Sequence, residues 1–260
     1  MKKFALVGHP LNHSLAPTLF NAGFKTLGLD YVYMKEDINI TEIKTVIAKV
    51  RSGEYSGLAI TSPYKEEILK YVDELTAEAR EIKSVNTIFL SLDGKVTGEN
   101  ADWLGFLKVL IEHKVDMKNK KFLIYGAGGA ARACLYAFGI LKDNLFLTNR
   151  SEEKGKKLAE EFDVKFVKNN NLPAVDFLIN ATSSAFNSKD DLIVPEDWLK
   201  NVSVVFDLTY GDTLLTRTAK RLGLETLDAK EMLLYQAIRQ FEIFTGKTAP
   251  IEDMRKSLKL

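Results

Sequence analysis

The chain has 260 residues, with 36 basic against 35 acidic side chains and a single cysteine, Cys134. That length allows one large domain or two modest ones, either with a sizeable core. Near-zero net charge argues against nucleic acid or an anionic membrane as main partner, and one cysteine excludes an internal disulfide.

Strands and helices alternate from the start. Phe4–Val7 reads as a strand that stops at Gly8-His9-Pro10, too short for a signal peptide or a membrane span. Pro17 to Leu27 reads as a helix and Tyr31–Met34 as a second strand. A helix over Thr41–Arg51 leads to a buried strand, Gly57-Leu58-Ala59-Ile60, and Pro63 opens a helix to about Tyr71. Ser84–Leu90 and Lys95–Gly98 form a hairpin through Asp93-Gly94, a strong turn pair. An amphipathic helix follows over Asp102–Ile111.

Lys121 to Tyr125 is a short apolar strand. It runs into Gly126-Ala127-Gly128-Gly129-Ala130-Ala131 and an alanine-rich helix, Ala130 to about Leu141. A G-x-G-x-x-A turn between strand and helix is the fingerprint of dinucleotide pyrophosphate binding. Gly126 allows the tight turn, Gly128 lets backbone approach the phosphates, and Ala131 allows close helix–strand packing. The free N–H groups of the new helix then face the anion. The next strand, Leu145–Thr148, ends in Asn149-Arg150-Ser151, with Lys154 one turn on. A cofactor with a free ribose 2′-hydroxyl meets an acid at this tip. Here the cations favour a 2′-phosphate, so the expected cofactor is NADP.

Strands at Phe177–Asn180 and Val204–Leu208 extend the cofactor sheet. The last helix, Glu231–Phe244, carries Met232, Leu233, Ile238, Phe241 and Phe244 at helical spacing and must bury that face, for which a return to the first domain is open. The fold class is therefore α/β, with two α/β domains. Residues 1–101, joined by 230–260 if the last helix makes that return, are expected to form an N-terminal substrate domain with a mainly parallel sheet. Residues 102–229 form a C-terminal Rossmann-type NADP domain. His9, His13 and His113 have no metal-ligand pattern around them, so no metal is expected. The bulk reading is a cytoplasmic enzyme acting on a small molecule, as a monomer or homodimer.

Polar groups stand out at four places before residue 110. Ser14, in the loop leaving the first strand, offers a hydroxyl to a ligand or to its own backbone. Lys65 falls at the third position of a helix started by Ser62-Pro63, where the dipole disfavours a cation; it is a chemical candidate or an exposed lysine. Asn86 reads as an inward amide holding a hydroxyl or as a satisfied strand amide. Asp102 reads as a catalytic carboxylate or as a helix N-cap. With NADP, a lysine beside a carboxylate moves the proton that must leave an alcohol while the cofactor handles the hydride.

These separated pieces together resemble one family, the shikimate dehydrogenases. Gly8 to Pro17 resembles its substrate loop, Thr61-Ser62-Pro63-Tyr64-Lys65 its lysine segment, and Val85-Asn86-Thr87 its amide pair. Gly98 to Gly105 resembles its aspartate segment. Gly126–Ala131 and Asn149-Arg150-Ser151 match its NADP turn and 2′-phosphate clamp. Asn180-Ala181-Thr182-Ser183 matches a cofactor-side motif, and Asp207 to Tyr210 and Met232-Leu233 with Gln236 complete the order.

The resemblance implies reversible NADP-dependent reduction of 3-dehydroshikimate to shikimate, in aromatic amino-acid biosynthesis. It makes Lys65 and Asp102 the catalytic pair, and Ser14, Thr61, Asn86, Gln236 and Tyr210 substrate contacts. Gly126, Ala127, Gly128, Gly129, Ala130, Asn149, Arg150, Ser151, Lys154 and Thr182 would hold the cofactor. Alternatives are a paralogue acting on quinate or another cyclic hydroxy acid, and a non-catalytic NADP-binding module. Methylenetetrahydrofolate dehydrogenases combine similar domains, without need of the serine loop or the Asn100/Asp102 segment.

The chain departs from the family at Ala16, where a second serine is usual, at Ala59 (asparagine), Ala101 (threonine) and Ala185 (glycine). Its loop after Tyr210 is also about two residues short. Ala16 is expected at a helix N-cap, where alanine costs about 1 kcal/mol relative to serine.

Overall fold

Phe4-Ala5-Leu6-Val7 is apolar on both faces. In the computed structural model, which describes residues 1–139, 141–182 and 192–260, this run forms the buried length of strand β1 (Lys2–Gly8). Phe4 and Leu6 point into one core and Ala5 and Val7 into another, as the two-residue period of a strand requires. The described chain folds as two units: Met1–Gly105 with Leu233–Leu260, and Phe106–Met232.

In the first unit, α1 (Ala16–Thr26) buries Leu19, Phe20, Gly23 and Phe24, a stripe at helical spacing. The remaining elements are β2 (Tyr31–Asp37), α2 (Ile43–Arg51), β3 (Gly57–Ile60), β4 (Glu74–Leu75), α3 (Ala77–Ile82), β5 (Thr87–Leu90) and β6 (Val96–Glu99). Helix α4 (Asp102–Glu112) begins here; its partition at Gly105/Phe106 puts Asp102 in the first unit rather than at the head of the second. The sheet order is β2-β1-β3-β5-β6-β4, with β5 antiparallel to β3 and β6 and the other pairs parallel. The hairpin turns through Gly94 at a φ of 80°, a left-handed conformation that favours glycine.

The second unit carries β7 (Phe122–Tyr125), α5 (Gly129–Phe138), β8 (Leu145–Thr148), α6 (Glu152–Phe162), β9 (Lys165–Phe166), β10 (Phe177–Asn180), α7 (Glu196–Leu199), β11 (Val204–Asp207), α8 (Leu214–Arg221) and β12 (Glu225–Leu227). All strand pairs are parallel, in the order β12-β11-β10-β7-β8-β9. Read from the other edge this is the doubly wound dinucleotide order, with its switch point between β7 and β10. The short strands β4, β9 and β12 and the helices α3 and α7 are too brief to show a periodicity, whereas α6 and α8, also absent from the expected elements, carry an amphipathic pattern.

The chain then returns to the first unit through α9 (Ala229–Thr245) and α10 (Ile251–Ser257). Phe241, Phe244 and Met254 join Phe4, Phe20 and Phe24 in one core. The rings of Phe4 and Phe244 stack 5.0 Å apart, and those of Phe20 and Tyr33 4.3 Å apart. Gly23 is required there, since a Cβ would lie 2.7 Å from the Phe241 ring.

Two local expectations are corrected. Residues 63–71 are not an α-helix but a turn followed by one 3-10 segment, Glu67–Lys70. The Lys65 carbonyl, which a helix would commit to residue 69, accepts the Val85 N–H instead at 2.8 Å. The buried Tyr64 hydroxyl donates to the Ile38 carbonyl and holds the turn down. Ala16 is the first helical residue rather than the N-cap, which is Leu15. The capping cost expected of Ala16 therefore does not apply, and its methyl packs in the aromatic core.

Among the described residues no helix is long and apolar enough to cross a membrane. Nor do three or more His, Cys, Asp or Glu side chains gather among them as a metal site would need.

At the sheet edge, Asp73 accepts both Arg51 nitrogens, at 2.5 and 2.8 Å, and the Val96 N–H at 2.9 Å. The guanidinium first, then the backbone donor, hold its carboxyl down at about 2. A depressed carboxylate stabilises the fold above its unfolded value, near 4, and that contribution is lost as pH falls through the folded value. Asp73→Asn should therefore lower the urea midpoint near neutrality. The gap to the unsubstituted protein should close between pH ~4 and ~2.

Candidate active site

In the first unit the loops after β1 and β3 meet where the sheet order reverses, the place where such sheets receive ligands. Their approach is close enough to require glycine. A Cβ on Gly8 would lie 2.3 Å from Thr61 Cγ2 and 3.0 Å from the Ser62 carbonyl. The His9 N–H donates to that carbonyl and the Thr61 N–H to Val7. Both proline peptides here, His9–Pro10 and Ser62–Pro63, are cis. Asp37, at the end of β2, fastens the first loop: one oxygen lies 2.6 Å from His9 Nδ1, and the other accepts the Leu11 N–H at 2.9 Å. These bonds, His9 first, hold its carboxyl below the usual range.

Lys65 Nζ donates to Asp102 Oδ2 at 2.7 Å, with only 17% and 8% of the two side chains exposed. Three segments far apart in sequence meet at this pair. The turn after β3 brings Lys65, the start of α4 brings Asp102, and the residue before β5 brings Asn86. Asn86 Nδ2 donates to Asp102 Oδ1 at 2.9 Å and to Gln236 Oε1 at 3.2 Å. Its Oδ1 accepts the Ala101 N–H at 2.8 Å and the Thr87 hydroxyl at 2.7 Å. All four hydrogen-bonding positions of the amide are thus filled by protein. The Asp102 N–H donates to Asn100 Oδ1, whose own amide is tied to the Ser84 carbonyl. Asp102 therefore starts its helix with its carboxylate directed to Lys65 and Asn86.

Gln236 comes from α9, and the structure joins it to the Asn86–Asp102–Lys65 group. Ser14 and Thr61 make local bonds instead. Ser14 Oγ accepts the Ala16 N–H at 3.3 Å, and Thr61 bonds through its backbone to Val7 and Tyr64. Tyr210 belongs to the second unit, in the loop after β11. Periodicity and motif reading missed Gln240, one turn beyond Gln236. It is only 1% exposed and donates to the Asn86 carbonyl and to Thr87 Oγ1, each at 2.9 Å. Its signal was a second glutamine at i+4 on a helix face otherwise apolar.

In the second unit the switch point lies beyond β7 and β10. Gly126 leaves β7 at a φ of 129°, and a Cβ there would meet Thr182 Cγ2 at 3.0 Å and the Ala181 backbone at 3.1 Å. Gly128 is the N-cap of α5 and Gly129 its first residue, so Ala127, Gly128, Gly129 and Ala130 surround a helix N-terminus. Ala131 is fully buried beneath it. At the tip of β8, Asn149 Nδ2 donates to the Ser151 carbonyl and Ser151 caps α6. Arg150 is exposed beside them, and Lys154 lies in the first turn of α6. A cradle that a Cβ would fill, a helix N-terminus and a cationic strand tip fit a dinucleotide with a 2′-phosphate.

Behind Thr182 stands a second buried polar group. Asn180 Nδ2 donates to Asp207 Oδ1 at 3.0 Å, and its Oδ1 accepts the Thr182 N–H and hydroxyl. Asp207 also accepts the Thr209 N–H and the Thr213 hydroxyl. Burial pushes its carboxyl up, against the pull of these donors. Ser183 and Ala185 lie outside the described residues.

Two family models match the chain: the shikimate dehydrogenase substrate binding domain over residues 6–88, and the shikimate 5′-dehydrogenase C-terminal domain over residues 231–259. A shikimate dehydrogenase (NADP(+)) of Aquifex aeolicus is 36% identical over 258 residues, covering 98% of this chain and 96% of the relative. One from Methanocaldococcus jannaschii is 38% identical over 273 residues, covering 99% and 96%. The crystal structure of shikimate 5-dehydrogenase from Thermus thermophilus, in complex with NADP(H) and shikimate, superposes with a TM-score of 0.89. Its sequence identity is 29%, over 100% of this chain and 99% of that one.

Removing the Asn86 amide strands the Ala101 N–H, the Thr87 hydroxyl and one Asp102 oxygen in the interior. Asn86→Ala should cost the first unit about 2–4 kcal/mol. Urea unfolding followed by Trp103 fluorescence, in a Trp198→Phe background, checks this, Trp103 standing next to Asp102 at the start of α4.

Proposed function

The chain belongs to the shikimate dehydrogenase family, and from that premise we propose that it catalyses the reversible, NADP-dependent reduction of 3-dehydroshikimate to shikimate. The observation that carries this reading is the 2.7 Å contact of Lys65 Nζ with a carboxylate whose other oxygen is held by Asn86. Reducing a ketone adds a hydride to carbon and a proton to oxygen, and NADPH, when bound, supplies the hydride. Lys65 delivers the proton to the oxygen, and in the reverse direction removes it from the hydroxyl. Asp102 fixes the position of Nζ and balances its charge, so the lysine's donor is aimed rather than free to swing in water.

The substrate's carboxylate and hydroxyls fall to Ser14, Thr61, Asn86, Gln236 and Tyr210. Ser14 uses a lone pair on the Ala16 N–H, which leaves its hydroxyl proton for an anion. Ala16 contributes no donor but a methyl to the core. Asn86 meets a substrate hydroxyl only by exchanging its bond to Gln236, since its other positions are filled. Gly126, Ala127, Gly128, Gly129 and Ala130 line the turn for the pyrophosphate, with Thr182 against Gly126. Asn149, Arg150, Ser151 and Lys154 form the end for the 2′-phosphate.

The direct test is reduction of NADP with shikimate, with quinate and NAD as comparisons. Turnover of shikimate with NADP is expected, and its absence sinks the reading. Lys65→Ala should lower kcat by about 10²–10⁴-fold, with NADP affinity unchanged in a fluorescence titration. Arg150→Ala removes a charge-assisted contact and should raise KM for NADP by roughly ten- to a hundredfold. The same variant should use NAD as before, so the ratio of the two cofactors measures the role of Arg150.

A further inference from the structure

The Asn86 amide is aimed by groups that touch neither Lys65 nor Asp102. The direction of every bond around it follows from backbone groups whose roles cannot change. The Ala101 N–H can only donate, so the atom facing it is Asn86 Oδ1, and Nδ2 must face Asp102. Thr87 Oγ1 sits 2.7 Å from that same Oδ1 and therefore spends its one proton there. Toward Gln240 the Thr87 oxygen can then only accept, and Gln240 Nε2 donates to it at 2.9 Å. The identity of that nitrogen is fixed in turn by the Asn86 main-chain carbonyl, which accepts its other proton at 2.9 Å.

The result is a one-way series, Gln240 to Thr87 to the Asn86 side-chain Oδ1, with the Asn86 NH₂ completing it at Asp102. Thr87 is fully buried and Gln240 is 1% exposed, so water does not substitute for either. Two donors on the amide oxygen polarise the carboxamide and strengthen its N–H donation. They also prevent the amide from rotating its oxygen toward the carboxylate, an arrangement that would set two acceptors face to face.

We infer that Thr87 and Gln240 are positioning residues for the Lys65–Asp102 pair, acting through the Asn86 amide. This rests on the reading that the pair moves the substrate proton. The residues differ from the substrate contacts in mechanism: they hold the amide donor on Asp102 and have no atom on the reacting groups. Asp102 in turn holds Lys65 Nζ, so a loosened amide lets the acid–base nitrogen drift.

The test compares Thr87→Val, Thr87→Ser and Gln240→Met in the full chain. Thr87→Val keeps the shape and removes the hydroxyl; it should lower kcat for shikimate oxidation about tenfold, the equivalent of ~1.4 kcal/mol. KM for NADP should not move, and the solvent deuterium isotope effect on kcat should rise as proton transfer limits the rate more. Thr87→Ser restores the hydroxyl and should recover kcat to within about twofold. Gln240→Met should reproduce the Thr87→Val pattern from the other end of the series, and serves if Thr87→Val melts too low to assay.

Loss of melting temperature without change in kcat or isotope effect would mark these as structural residues and overturn the proposal. So would a Thr87→Ser variant no better than Thr87→Val. The side-chain NH₂ resonances of Asn86 read the same amide without turnover, and should move upfield in Thr87→Val and Gln240→Met. If the wild-type chain fails to oxidise shikimate, the proposed function falls. The positioning role is then decided by those resonances alone, and unmoved signals overturn it.

Discussion

A carboxylate withdrawn from water has to be met by donors, and that requirement at Asp102 organises the first unit. The cost of an unmatched buried charge is several kcal/mol, more than any single local preference in the surrounding chain. Lys65 reaches it from a turn whose carbonyl has been diverted to Val85. Asn86 reaches it at the threshold of β5, and α9 crosses behind, with Gln236 accepting from that amide and Gln240 donating to the Asn86 main-chain carbonyl and to Thr87. The adjoining Glu99 is treated alike: Arg239, from the same helix, meets both of its oxygens at 2.8 and 3.1 Å. Acidic side chains near the end of the hairpin and cationic or amide side chains on the returning helix are thus complementary parts of one arrangement.

The second unit meets the same constraint with the same residues. Asn180 donates to Asp207 as Asn86 donates to Asp102, and each amide oxygen accepts one backbone N–H and one threonine hydroxyl. In both places an asparagine at or beside a strand end converts a buried carboxylate into a fixed point from which a loop departs. In the first unit that fixed point carries the lysine. In the second it sets Thr182, against which Gly126 must pass without a side chain. The chemistry differs, but the physical problem of anchoring a loop without water is shared.

Much of this was legible in sequence, and what was not has a common cause. The strand Gly57–Ile60 and the strand Phe177–Asn180 appear where apolar runs placed them, and the hairpin closes through Asp93-Gly94. Those features depend on residues a few positions apart. Lys65 stands out in sequence because a helix would disfavour it there, yet no α-helix forms: Val85, twenty positions on, takes the carbonyl the helix needs. The place of Ala16 before Pro17 points to a cap, whereas Leu15 occupies that position and the aromatic core claims the alanine methyl. A second glutamine on an apolar helix face marks Gln240 as unusual, but its partners lie some 150 residues away and the helix alone carries no record of them. Local chemistry reads forward along the chain; satisfaction of buried polar groups does not.

The aromatic core of the first unit has one further consequence, for the order in which the molecule is made. Phe4, Phe20 and Phe24 leave the ribosome long before Phe241, Phe244 and Met254, which fill the same core. Until then the early segment has an apolar face with no cover and an Asn86 carbonyl without its glutamine. The Phe106–Met232 unit is continuous in the chain and has its strands complete before α10 is synthesised. The continuous second unit can thus close its core during synthesis before the discontinuous first unit has all of its own, the reverse of the usual N-terminal-first order. The Lys65–Asp102–Asn86 group is synthesised early, and the glutamines of α9 that brace it are added only after the second unit is complete.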